Sequence, residues 1–207
     1  AVFDFFNTDE HCIEEPPGDA QYYIVGIDYG TTNPCAFTMV GYNPHLYPNI
    51  WLEKEYYYDS TIKQVQKSDY EYADDLIKFI SGYNVKTIYI DPSAASLKRE
   101  LQRQEVENVK DAENDVIPGI RFMSNMLSSG TLKICRCCKN IIKEFGTYVW
   151  DPKASERGED KPIKANDHAI DSLRYALFTH FFKKMSKEAM TEQDAFEMEE
   201  AWGCKIS

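Results

Sequence analysis

Three aspartates stand where chemistry is most easily built. Asp28 closes the apolar run YYIVGID, Asp91 closes TIYID, and Asp171 lies within NDHAIDSLRYAL, with Asp167 at i−4 and His168 at i−3. On a helix those spacings put Asp167, His168 and Asp171 on one side. Aspartates that end neighbouring strands of an open sheet point into one crevice, where ligands usually bind. A buried carboxylate beside another is unfavourable unless a cation neutralises the pair, so the set points to Mg²⁺ or Mn²⁺ held by hard oxygen ligands, with one imidazole at the rim. Each residue also has a plainer reading. A strand-end Asp forms turns, Asp167 in a first helical turn favours the helix dipole, and His168 is a partly exposed residue of the same turn. The combination is more informative than its members, because three carboxylates gathered at the ends of a sheet and an abutting helix are otherwise costly neighbours.

Asp28 is followed by Gly30-Thr31-Thr32. A glycine and two hydroxyl residues after a strand make a tight turn whose backbone N–H groups can cradle phosphate. The same turn can instead aim Asp28 at a metal, and at this point both readings stand. The formal charge of −11 looks wrong for a protein that touches nucleic acid, yet it is unevenly spread. Residues 1–20 carry six acids and no Lys or Arg, whereas residues 121–164 carry nine bases against five acids. The second segment is a candidate polyanion face, with Lys153, Arg157, Lys161 and Lys164 on the loop before the last helix as phosphate contacts. A mixed, solvated surface is the competing interpretation.

The elements that must position these groups follow from the residue pattern. Residues 1–21, containing EEPPGDA, read as a linker or tail. YYIVGIDYG, CAFTMVGYN and IWLEKEYYYDS are rich in β-branched and aromatic residues and predict a meander of three antiparallel strands. The period then changes, with Leu76, Ile77 and Ile80 on one helical face and Gly82 as a stop. VKTIYIDPSA predicts a strand that ends at Asp91, so strand, helix and strand make a parallel crossover. SLKRELQRQEVENVKDAEN reads as a polar helix capped by Ser93 or Ser96; IPGIRFMSNMLSSGTLKIC as a helix and a brief strand; CKNIIKEFGTYVWD as a helix with Ile141, Ile142 and Phe145 facing the core. DPKASERGEDKPIKA is a charged loop or hairpin, and a long amphipathic helix starts at Asn166 as N-cap. Residues 22–182 thus form one α/β domain built on a mixed sheet, the antiparallel meander extended by parallel strands and flanked by helices. Residues 183–207 are an acidic tail with no readable chemistry.

At 207 residues the chain fits one ordinary domain and is about half the length that two nucleotide-binding lobes of roughly 100–200 residues each would need. It has no apolar run of about 18 residues and no basic-then-apolar N-terminus, which excludes a membrane span and a signal peptide and reads as a soluble, cytoplasmic protein. The start without Met is compatible with a domain excised from a longer protein. The six cysteines at 12, 35, 135, 137, 138 and 204 lack zinc-finger spacing, so reduced thiols are the better reading.

The blocks YYIVGIDYGTTNPCAF, TIYIDPSAAS, NDVIPGIRFMSNMLSSGTLKI, CKNIIKEFGTYVWDPK and NDHAIDSLRYAL, in this order, resemble the C-terminal nuclease domain of the large terminase subunit of tailed bacteriophages and cover most of residues 22–180. DPSA and DHAIDSLRYAL are the specific signals; GIDYGTTN is shared with sugar kinases, actin and heat-shock chaperones. The resemblance implies an RNase H-like fold and a metal-dependent endonuclease that cuts concatemeric viral DNA at the start and end of head filling, in the cytoplasm of an infected bacterial host. It implies Asp28, Asp91 and Asp171 as the acidic triad, with His168 near the second of two Mg²⁺ or Mn²⁺ ions. Its partners would be double-stranded DNA, an ATPase motor domain, the small terminase subunit and the portal.

On that reading two ions about 3.5–4 Å apart activate the attacking water and stabilise the leaving 3′ oxygen. The competing readings are another RNase H-like nuclease, such as a Holliday-junction resolvase or transposase, a nucleotide-binding domain of the actin and sugar-kinase kind, and a non-catalytic interaction domain.

Overall fold

A computed structural model describes residues 1–30 and 34–182. Within them runs a seven-stranded mixed sheet of order β1-β7-β4-β3-β2-β5-β6. The meander is as the sequence predicts: β2 (Tyr22–Asp28), β3 (Cys35–Tyr42) and β4 (Ile50–Tyr58) are antiparallel neighbours. β5 (Val85–Ile90) then joins β2 in parallel, with Ile27 opposite Ile90. β7 (Leu132–Cys135) lies parallel to β4 on the other side. The central strands are buried on both faces, which is why they read as nearly continuous apolar runs rather than alternating ones.

Two cores form, one on each face. Val25, Ile27 and Phe37 pack toward α3 (Asp69–Ile80) and α4 (Ala95–Arg103) through Tyr72, Leu76, Leu97 and Leu101. Ile24, Val40, Trp51 and Leu52 pack toward α5 (Val116–Ser128), α6 (Lys139–Thr147) and α8 (His168–Leu177) through Phe122, Phe145, Leu173 and Ala176. α8 crosses directly over β2 and β3. Its approach is so close that a Cβ on Gly26 would sit 1.8 Å from the Ser172 carbonyl oxygen. The Ser172 hydroxyl donates to the Gly26 carbonyl at 2.8 Å and lies 2.9 Å from the Thr38 hydroxyl, which pins the helix in register on the sheet.

Several expectations are corrected. The first thirteen residues are not a solvated tail: Val2 and Phe3 are buried, α1 (Thr8–His11) follows, and β1 (Cys12–Ile13) pairs in parallel with β7. Phe6 stacks on Phe145 and Phe3 meets the same ring edge-on, while Arg136 pairs with Asp9 and Glu14, so apolar residues face in and acids face a base. The polar stretch after α4 ends in a three-residue edge strand, β6 (Val109–Asp111), rather than continuing as helix. Neither Ser93 nor Ser96 caps α4; its cap position is Ala94, without a side-chain bond. Instead the Ser93 N–H donates to Asp91 Oδ1 at 2.7 Å, an Asx turn that carries the chain out of β5.

The helix expected after β4 is two. α2 (Ser60–Lys63), capped by Asp59, stops at Gln64 with φ 54°, and α3 restarts behind a Ser68–Glu71 capping box. Tyr72, Ala73 and Leu76 form its buried face, while Ile77 is 37 % exposed. The charged segment before α8 holds the short α7 (Pro152–Ser155) and closes as a narrow loop through a Trp150–Pro162 bridge. The cap of α8 is Asp167, not Asn166, which takes a left-handed φ of 54° one residue earlier. After Leu177 the coil widens into a π-helix, Phe178–Phe182. Thr31, Thr32 and residues 183–207 lie outside the described residues.

Candidate active site

The parallel pairing of β2 with β5 brings two aspartates to one edge of the sheet. Asp28 is the last residue of β2, and Asp91 follows the last residue of β5, next to it. α8 begins over the same edge, so its first turns deliver His168 and Asp171 to the mouth of the strands. Asp28, Asp91, Asp167, His168 and Asp171 line one cleft of about 490 Å³. The structure therefore brings together Asp28, Asp91, His168 and Asp171, and places Asp167, 6 % exposed, beside them as the helical spacing predicts.

Each group has a defined partner. His168 Nδ1 donates to Asp28 Oδ2 at 2.8 Å. Tyr175 donates its hydroxyl to Asp91 Oδ2 at 2.8 Å, and the Ser93 N–H holds Oδ1. Arg174 donates through Nε and Nη2 to Asp171 Oδ1 at 3.2 and 2.9 Å. The Arg174 guanidinium is buried and also donates through Nη1 to the carbonyls of Asn114 and Asp115 at 3.0 Å each, tying α8 to the start of α5. Gly119 makes room for this arginine: a Cβ there would stand 2.7 Å from its Cγ and Cδ.

The electrostatics are those of crowded carboxylates. Burial, reinforced by the charges of Asp171 and Asp167, pushes the Asp28 carboxyl up to about 6 against the pull of His168. Asp167 is raised by burial and by Asp171. Burial works against charge on His168, but the Asp28 hydrogen bond and charge outweigh it and raise the imidazole. Burial also opposes the Asp91 charge, yet hydrogen bonds from Ser93 and Tyr175, with Arg174 nearby, hold that carboxyl below its ordinary value.

Among the described residues no group of three or more His, Cys, Asp or Glu side chains is placed so that it could hold a metal ion as it stands. The donors are nonetheless of the kind a hard divalent cation takes. Asp28 Oδ1 and Asp171 Oδ2 make no hydrogen bond with any described residue, and the upward push on Asp28, chiefly from burial and then from Asp171, disfavours a charge that a cation would favour.

Of the four basic residues, Lys164 lines this cleft and Lys161 lines an adjoining cavity of about 190 Å³ that shares Asp91, Asp167 and Asp171. Lys153, in α7, and Arg157, paired with Glu159 at 3.3 Å, are exposed on the outer loop and line neither space. Arg174 and Tyr175 were not anticipated. Arg174 stands at i+3 from Asp171, a spacing that could have revealed it; nothing in the sequence marks Tyr175 as the partner of Asp91.

An antiparallel meander continued by parallel strands, with strand-end aspartates facing a third on a covering helix, defines the RNase H-like class. The chain belongs to the terminase RNase H-like domain family, whose model matches residues 49–180. It is 40 % identical to the large terminase of a thermophilic bacteriophage, solved in complex with ADP, covering 87 % of this chain and 45 % of that one with a TM-score of 0.82. It is 24 % identical over 189 residues to the terminase large subunit of Escherichia phage T5, which is 86 % of this chain and 41 % of that protein. The P22 large terminase nuclease domain, 15 % identical, shares the fold at a TM-score of 0.69 over 87 % of this chain and 92 % of its own. The chain thus spans less than half the length of the first two of these relatives. Among the described residues no helix is long and apolar enough to cross a membrane.

Proposed function

We propose that this chain is the metal-dependent DNA endonuclease of a phage packaging terminase, cutting concatemeric viral DNA. The observation that carries this reading is the convergence of Asp28, Asp91 and Asp171 in one cleft, with His168 bonded to Asp28. Asp28, Asp91 and Asp171, with His168 beside them, would hold Mg²⁺ or Mn²⁺, in the two-ion arrangement. Divalent cations in such a site lower the pKa of a bound water and offset charge on the phosphodiester. Nuclease-domain structures of the large terminases of phages G20c and SPP1, of the same fold, hold bound cobalt and Mn respectively, which supports the metal reading.

The protein's own groups act by position. His168, fixed through Nδ1 on Asp28, has its Nε2 available to orient a water or take its proton. Tyr175 helps to keep Asp91 ionised, and Arg174 holds the Asp171 carboxylate in place. Lys164 and Lys161 stand where phosphates would pass, and Lys153 and Arg157 extend that track along the outer loop. Contacts of this kind position DNA and read no sequence. The ATPase motor, small terminase subunit and portal are the partners this function calls for, and the host cytoplasm is its place.

Plasmid cleavage followed on agarose tests the proposal. Nicking and linearisation with Mn²⁺ or Mg²⁺, abolished by EDTA and by Asp28→Asn, Asp91→Asn or Asp171→Asn, support it. Near-normal cutting by Asp28→Asn or Asp171→Asn protein removes the assignment.

A further inference from the structure

α8 carries His168 and Asp171, yet it begins without a side-chain cap: Asp167 occupies the cap position, makes no capping bond and lines the cleft instead. The first-turn amides of a helix need acceptors, and a helix end buried without them is unstable. Here the acceptor comes from another helix. Glu144 of α6 is 4 % exposed, and its Oε2 accepts the Ile170 N–H at 2.9 Å, midway between His168 and Asp171. Its Oε1 is buried without a hydrogen bond of good geometry among the described residues, although the Tyr57 hydroxyl of β4 approaches the carboxylate. α6 is itself started the same way. Its cap position, Cys138, offers no side-chain bond, and Glu55 of β4 accepts the Asn140 and Ile141 N–H groups at 2.7 and 3.0 Å. Two carboxylates in series therefore connect the sheet to α6 and α6 to α8.

We propose that Glu144 is a positioning residue for the acidic cleft. By capping α8 from outside, it fixes the first turn against the strand ends and releases the Asp167 carboxylate from the capping role it would otherwise fill. The inference rests on the metal-centre reading above, and it assigns Glu144 no contact with metal or DNA. A burial cost is retained at this carboxylate because one of its oxygens sets the geometry of the site, whereas a residue of purely packing value would be served better by an apolar side chain. Groups that orient metal ligands typically change metal affinity 10–100-fold when removed.

The test is Mn²⁺ affinity by calorimetry on the intact chain, beside the urea midpoint. Glu144→Met keeps length and apolar volume but has no acceptor; Glu144→Asp keeps the charge but falls one methylene short of Ile170. Both are expected to bind Mn²⁺ about tenfold more weakly. Glu144→Gln, whose amide oxygen still accepts the Ile170 N–H, is expected to stay within twofold of wild type. Should Glu144→Met fail to fold, Glu144→Asp and Glu144→Gln carry the comparison. Wild-type affinity in Glu144→Met and Glu144→Asp, whatever their urea midpoints, or equal losses in Glu144→Gln and Glu144→Met, overturns the positioning role and leaves the metal centre standing. Wild-type protein that takes up no Mn²⁺ removes the metal centre itself, and this role with it.

Discussion

At the scale of single residues, the cleft holds charges that the protein alone does not balance. Asp28, with its carboxyl raised to about 6 chiefly by burial, is ionised at neutral pH at a cost to the fold. Asp28→Asn should therefore stabilise the protein in EDTA, by roughly 1–2 kcal/mol at pH 7 after the weaker bond to His168 is counted, while cleavage collapses. Thermal unfolding in EDTA checks the first half and the plasmid assay the second. Arg174 is the opposite case, a buried cation whose hydrogen bonds all go to Asp171 and to two carbonyls. Arg174→Ala would remove the buried cation that pairs Asp171 and the donor that ties α8 to the start of α5. A loss of about 3–5 kcal/mol follows, read from urea unfolding.

At the scale of elements, α8 is the part on which the site depends, and its placement rests on a glycine and a borrowed cap. Gly26→Ala would drive a methyl into the Ser172 carbonyl, a backbone atom that cannot swing aside. The helix must lift from β2, so stability should fall by at least about 1–3 kcal/mol and cleavage with it. Glu144 gives this scale a pH dependence. Burial raises its carboxyl to about 7, above an ordinary value of 4.5, so the folded chain binds the extra proton between those values. The stability it contributes is fully present below about pH 4.5 and is lost as pH rises through 7. Urea midpoints of wild type and Glu144→Gln should diverge between pH 5 and pH 8, the variant gaining relative to wild type.

Much of this scaffold was legible in the sequence. Residues 22–58 are β-branched and aromatic in three runs, and Asp91 ends a fourth, so the meander and its parallel neighbour announce themselves. β1 and β6 do not: two and three residues long, at the sheet edges, they owe their pairing to neighbours rather than to pattern. Phe3, Phe6 and Cys12 were masked by six surrounding acids. Of the site, the four residues named from the sequence share one cleft because strand ends and helical spacing are local signals. Glu144 and Glu55 were invisible, since a cap supplied across 26 or 85 positions leaves no spacing to read.

For the whole molecule, a net charge of −11 sets the terms of any encounter with DNA. Lys153, Arg157, Lys161 and Lys164 as phosphate contacts predict affinity falling roughly a hundredfold between 50 and 200 mM salt, and Lys164→Ala should lower the salt slope by about one. Fluorescence anisotropy with a labelled duplex measures both, and a flat response would discard this surface. The acidic remainder of the chain repels DNA, so these four bases carry whatever phosphate contact the chain makes. On the function proposed, this chain supplies a place for cations between three strand- and helix-borne aspartates. A crystal soaked in Mn²⁺ and measured at the manganese edge addresses that directly. Anomalous peaks bounded by Asp28, Asp91 and Asp171 are the expected result; a cleft without a peak, or manganese bound only elsewhere, contradicts the account.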